Sequence, residues 1–290
     1  VINTSDVSES ISYPDIKSVA SRYSKRYQLL NNGIVLISLL VLVLASIISF
    51  WPNLALGLPF SQSLLLIAGL FLSMFSSLKK PDRTWFAARS LTETIKTLSW
   101  RYIMQAVPLD GCDAENLYWK KIKKACEESN NLIREEVFSV GNYDIKSLIS
   151  LRSLGFDEKV ELYSRGRIHS QLSWYLNKAK ENKARSVLIF CFLMLVNLLA
   201  VILSISEEAG FSDVKLPVDV LITIAGAVIA WGQCKKFNEL SAAYEFTASE
   251  IIPLVNEIEK IKTNSELSEF VRIAEELFSR EHTQWAAKRS

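Results

Sequence analysis

Hydrophobic and polar positions alternate in long blocks along this chain. Residues 33–78 contain no charged side chain, and residues 186–234 repeat the pattern around one short acidic loop. Each block divides into two apolar runs, at 33–50 and about 58–78, and at 186–206 and about 218–234. A run of ~17–21 residues rising ~1.5 Å per residue as a helix crosses a hydrocarbon core of ~30 Å. The pattern predicts four membrane spans in two hairpins. Asn53, Gly57 and Pro59 close the first hairpin beyond Pro52, and residues 210–217 close the second.

Basic residues flank the spans on one side. Arg22, Lys25 and Arg26 precede span one, and Lys79, Lys80 and Arg83 follow span two. Lys178, Lys180, Lys183 and Arg185 precede span three, and Lys235 and Lys236 follow span four. The hairpin tips carry only Lys215 against Glu207, Glu208, Asp213 and Asp219. By the positive-inside tendency both termini and the long middle segment are expected in the cytosol. The organisation expected is 1–32 N-terminal segment, 33–78 first hairpin, 79–185 cytosolic helical region, 186–236 second hairpin and 237–290 C-terminal helices.

Outside the spans the hydrophobic period is helical. Phe237, Leu240, Tyr244, Thr247, Ile251, Leu254, Ile258 and Ile261 alternate steps of three and four, as a coiled-coil-like stripe does. Carried backwards, the same register meets Thr223, Gly226, Ala230 and Gln233 within span four, where small residues would allow close helix approach. Pro253 lies inside the stripe and is expected to bend the helix. Ala88, Leu91, Ile95, Leu98 and Tyr102 repeat the stripe after span two. The fold class expected is all-α, with membrane helices prolonged into a cytosolic helical bundle. A turn is expected at 264–268 before a last helix at 269–289.

The two hairpins resemble each other. Ile67-Ala68-Gly69 precedes Lys79-Lys80 much as Ile224-Ala225-Gly226 precedes Lys235-Lys236, and Tyr23 and Tyr175 hold matching places before spans one and three. A duplicated or fused two-span module accounts for this order of features. Both copies share one topology, unlike the inverted repeats of many transporters.

Composition adds exclusions. The chain is 49 % hydrophobic and 22 % charged with a net charge of +2, so its polar and apolar residues are segregated rather than mixed. Cys112, Cys126, Cys191 and Cys234 have no metal-binding or redox spacing and read as reduced packing residues. There is no HExxH, GxSxG or phosphate-loop motif, and His169 and His282 are isolated, so neither an enzyme nor a bound metal or cofactor is expected. No ionisable residue lies in a span, which argues against coupled transport.

Trp85, Arg89, Glu93, Lys96 and Trp100 recur at steps of four, four, three and four, with Arg101 and Tyr102 next. The run KKPDRTWFAARSLTETIKTLSWRY resembles the SLATT family of bacterial membrane proteins, in which a two-span hairpin carries a helical extension. The second half is similar to a sister subfamily through Arg165, Tyr175, Ala179, Trp231, Tyr244, Glu250, Leu254, Phe270-Val271, Glu275, Glu281 and Trp285. It lacks the W-R-Y run. The resemblance implies a pore-forming effector of antiphage defence, and the tandem form is similar to the effector of Hailong-type systems. It implies as partners the lipid bilayer, further copies of the chain in a homo-oligomer (a tetramer by expectation), and a nucleotide or short DNA oligomer made by a partner nucleotidyltransferase.

Two readings of the chemistry stand side by side. Trp85, Arg89, Lys96, Trp100 and Arg101, with Arg165 and Arg167, offer guanidinium forks for phosphate and indoles for base stacking. Alternatively Arg89 and Glu93 form an i,i+4 pair, the tryptophans fill a bundle, and the basic groups form a solvated face. Asn197, Ser204 and Thr223 are the polar groups that could line a pore, or Asn197 could join helices within the membrane. A non-conducting membrane anchor that recruits a cytosolic partner is the rival function.

Overall fold

The computed structural model describes residues 11–55, 58, 60–129, 144–211 and 215–287, with side chains as far as Ser279. Gly57, Pro59 and Asp213, expected at the hairpin tips, and the side chains of Glu281, His282 and Trp285, lie outside these. The described residues form helices and no strand. In order they are α1 (Asp15–Phe50), a 3-10 turn (Pro52–Ala55), α2 (Ser61–Lys79), α3 (Pro81–Ile103), α4 (Ala114–Glu127), α5 (Lys146–Arg152) and α6 (Phe156–Tyr163). A π-helical segment (Ser164–His169) leads into α7 (Ser170–Glu208), followed by α8 (Val218–Lys235), α9 (Phe237–Ile258) and α10 (Asn264–Ala287). The chain divides into two compact units. A polar unit holds Val1–Gln28, Pro81–Asn177 and Tyr244–Ser290, and an apolar unit holds Leu29–Lys80 and Lys178–Ala243.

The apolar unit contains the four spans, and α1, α2, α7 and α8 are long and apolar enough to cross a membrane. Spans one and three begin inside longer helices that start at Asp15 and Ser170. The outward side chains of the spans are bare, with Leu70 of span two and Leu188 of span three each 69 % exposed. That is unfavourable in water and neutral in lipid, where packing rather than hydrophobicity joins helices. Small residues make the close approaches. A Cβ at Gly69 would lie 3.6 Å from Val41 Cγ1, and one at Gly232 would lie 3.8 Å from Ile189 Cγ2. Gly210, at φ +70°, ends α7: its N–H donates to the Glu207 carbonyl and that of Phe211 to the Ser206 carbonyl. This paired closure favours a residue without Cβ.

Spans two and four do not continue unbroken into the next helix. Lys80 (φ 43°) and Lys236 (φ 52°) are left-handed, and their N–H groups close the preceding helices on the Ser76 and Gly232 carbonyls. The two copies of the module thus share a break at the same place. Within span four the expected register does not hold: Gly226, Ala230 and Gln233 are exposed within the subunit and Ala225 is buried instead.

In the polar unit the expected stripes are buried. Ala88, Leu91, Ile95, Leu98 and Tyr102 of α3 pack inward, as do Tyr244, Thr247, Ile251, Leu254 and Ile258 of α9. α9 runs as one helix through Pro253. The last helix begins at Asn264, earlier than expected. Thr263 and Glu266 form a reciprocal cap, each backbone N–H donating to the other's side chain at 3.2 Å. Thr-x-x-Glu is a start signal, and residues 264–268 are the first turns of α10 rather than a loop.

Candidate functional site

The centre of the polar unit is a buried charge pair. α10 packs its apolar side (Leu267, Val271, Ala274, Phe278) inward, and one turn of that side carries Glu275, fully buried. A carboxylate there needs donors on every lone pair, since an isolated buried charge is very costly. It has four. Glu275 Oε1 accepts from Arg167 Nε at 2.7 Å and from the Tyr163 hydroxyl at 3.0 Å. Oε2 accepts from Arg167 Nη2 at 2.6 Å and from Thr97 Oγ1 at 2.9 Å. The guanidinium and carboxylate form a fork-to-fork pair, the strongest geometry available to these groups.

The π-helical segment places Arg167 there. Its wide turns, held in part by the hydrogen bond from His169 Nδ1 to the Ser164 carbonyl at 2.9 Å, sit between α6 and α7 with Gly166, Arg167 and Ile168 buried. Such segments in a helical run mark functional sites more often than chance allows. Burial alone would lower the Arg167 pKa; the Glu275 charge outweighs it and holds the guanidinium ionised, above its ordinary value. Tyr163 is pushed well up, by burial first and then by the same carboxylate, so it remains a donor. Phe278 lies under the guanidinium at 4.9 Å, and the Trp100 ring meets Tyr163 edge-on at 5.5 Å. Arg167 Nη1 is buried with no hydrogen-bond partner.

Further cations stand around this pair. Lys17 places its Nζ 3.5 Å from the Tyr13 ring centre, and it lies within the fields of Lys96, Glu93 and Arg167. Lys96 is bridged to Glu93 at 3.2 Å, a pairing the i,i+4 reading had given to Arg89. Burial, then Lys96, lowers the Lys17 pKa to about 8, Glu93 opposing and Arg167 adding. Burial raises Tyr13 to about 12. A lysine near 10.4 in the unfolded chain therefore binds more protons unfolded than folded between about pH 8 and 10. Stability should rise with pH across that window and fall again as Tyr13 ionises more readily in the unfolded chain above pH 10. Lys17→Met should flatten the rise and increase the unfolding midpoint at pH 7, as followed by thermal unfolding at a series of pH values.

The residues expected to bind a ligand fall in this unit and are only partly gathered. Lys96, Trp100 and Arg167 meet around the pair. Arg101 joins α3 to α10, donating to the Arg272 carbonyl at 3.2 Å with Glu276 at 3.6 Å, and its Nε is buried without a partner. Trp85, stacked on Phe86, and Arg89 are half-buried two to three turns earlier on α3. Arg165 points to the exposed side and pairs with Glu161 at 3.0 Å. Glu275, Tyr163, Thr97, Tyr13 and Lys17 were not singled out as site residues. Glu275 carried a legible signal, a lone carboxylate within an apolar helical stripe.

The polar groups of the spans lie in the apolar unit. Thr223 Oγ1 donates to Ser46 Oγ at 3.2 Å, joining span four to span one, and also approaches the Asp219 carbonyl at 2.8 Å. Ser204 is half-buried. Asn197 is exposed, and among the described residues its amide donates only to the Leu193 carbonyl of its own helix at 2.8 Å.

Four helices long and apolar enough to cross a membrane, joined to a helical unit organised around a buried ion pair, are those of a membrane protein. The chain belongs to the SLATT family. Residues 14–159 match the SMODS and SLOG-associating 2TM effector domain 3, and residues 163–285 match the SMODS and SLOG-associating 2TM effector domain 1. No curated protein and no solved structure matches it. The match boundaries give the polar centre a further meaning. Tyr13 lies at the edge of the first domain, which supplies Lys17, Lys96, Thr97 and Trp100, and the second supplies Tyr163, Arg167 and Glu275, so the tandem domains share one core.

Proposed function

We propose that this protein is an oligomeric, pore-forming effector of bacterial antiphage defence, gated by a nucleotide or short oligonucleotide from a partner nucleotidyltransferase. On this reading the pore sits in the inner membrane with both termini in the cytoplasm, and its opening depolarises the membrane and arrests growth. The observation that carries the reading is the pairing of two tandem two-span effector domains with four helices long and apolar enough to cross a membrane. Four such helices enclose no aqueous path alone, so conduction requires several copies, a tetramer being the simplest ring. A mostly apolar lumen gates by wetting.

The polar unit supports control by an anion. Lys17, Lys96 and Arg167 face Glu93 and Glu275, leaving an excess positive charge. Trp85, Arg89 and Lys96 are reachable from solvent, whereas Trp100 and Arg167 would meet a ligand only on opening of the centre. A ligand moves such an equilibrium only through unequal affinity for the two arrangements.

Purified protein in liposomes carrying a voltage-sensitive dye should dissipate an imposed potential, and the nucleotide fraction made by the partner enzyme should change the rate. Arg89→Ala with Lys96→Ala should weaken that response at least tenfold, while Lys120→Ala on the exposed side of α4 leaves it unchanged. If the liposomes hold their potential with and without nucleotide, the anchor reading replaces the pore.

A further inference from the structure

Two polar residues of the spans have opposite fates. Thr223 finds Ser46 of another helix in the same subunit. Asn197, at the middle of span three, finds no partner on another helix among the described residues. Its neighbour Val196 is buried, but Asn197 itself is exposed, and one amide N–H is bonded to the Leu193 carbonyl. An asparagine amide offers two donors and two acceptor lone pairs. The second N–H and the whole carbonyl oxygen are thus left facing a layer where lipid supplies no hydrogen bond. The helix period puts Phe190, Met194, Val201 and Ser204 on the same side of α7, and the first three are exposed.

We infer that this side of span three is a self-association seam, in which Asn197 hydrogen-bonds to Asn197 of a second copy of the chain. The inference rests on the oligomeric reading above and names its contact. A second copy is the occupant because the amide is self-complementary: each carries both the donor and the acceptor that the other lacks, so a two-fold axis along the membrane normal satisfies both and makes a pair of copies the unit from which the larger assembly is built. Lipid could cover Phe190, Met194 and Val201, but it leaves the amide unsatisfied. Tight approach beside Asn197 is permitted by the short side chains of Val201 and Ser204.

The test uses the full chain in membranes and lipid nanodiscs. Asn197→Leu should weaken association about three- to thirtyfold per contact, the range for an interhelical amide bond in lipid, read as a shift to smaller species by native mass measurement. Asn197→Gln, which keeps the amide, should restore most of it. Val201→Cys should cross-link to itself above the background set by the chain's own cysteines, while Leu195→Cys, on the far side of the same helix, should not. The seam is overturned by unchanged oligomer mass in Asn197→Leu, or by cross-linking at position 195 instead of 201. Unchanged mass with lost conductance would place Asn197 in the lumen. A parent chain that is monomeric in nanodiscs would remove both the seam and the oligomeric pore.

Discussion

Glu275→Ala is expected to destabilise the polar unit by about 3–5 kcal/mol, the cost of stranding a buried charge by deleting its partner. Arg167, only 2 % exposed, would lose both strong hydrogen bonds, and Tyr163 and Thr97 would lose their acceptor. Glu275→Gln should cost less, because an amide still accepts on one side, but its N–H₂ would face donors. Replacing both partners by apolar residues, Arg167→Met with Glu275→Leu, should recover most of the loss, since a well-packed apolar pair avoids desolvating two charges. Thermal unfolding in detergent followed by tryptophan emission is a suitable readout, because Trp100 lies against Tyr163 in the centre. A midpoint fall on the order of 10 °C is expected for Glu275→Ala. No change would mean that the carboxylate is hydrated rather than enclosed.

The second large effect concerns the stripe of α9. Ile251 is 0 % and Ile258 1 % exposed. Aspartate at either position loses ~1.5–3 kcal/mol of apolar burial and adds the cost of an unpaired buried carboxylate. Ile251→Asp with Ile258→Asp should therefore prevent the polar unit from folding, seen as rapid proteolysis within 237–290 and loss of cooperative unfolding. Ile252→Asp is the control: the adjacent residue is 50 % exposed and the substitution should be tolerated. Equal protease resistance in all three chains would show that α9 does not use this side for packing.

Much of this was legible in the residues. The spans follow from composition over windows as long as a bilayer is thick, and no tertiary contact is needed to place them. The stripes of α3 and α9 follow from the helical period, because a side that repeats every three to four residues must be buried together. The W-x3-R-x3-E run and the later Phe270-Val271 and Glu275 pointed to the family before any geometry. The start of α10 was also written locally, in Thr263 and Glu266. Its signal was outweighed by a polar stretch that resembled a loop.

Partnership was not legible. Arg89–Glu93 was the expected pair on spacing alone, yet Glu93 is bridged to Lys96, and its charge also acts on Lys17. Arg167 and Glu275 stand 108 residues apart, and nothing local announces that a π-helical turn will aim one at the other. Lys80 and Lys236 gave no warning of left-handed backbone, since glycine is the usual sign and lysine is an ordinary helix former. Those two residues end the helices of spans two and four. What the sequence determined alone was the helical class, the four spans and the inward faces of α3 and α9, all properties of short-range period and composition. The shared core of the two domains, the union of Thr223 with Ser46 and the solitude of Asn197 depend on which helices become neighbours. Only the tertiary structure decided these, because packing joins residues whose separation along the chain carries no information about their distance in space.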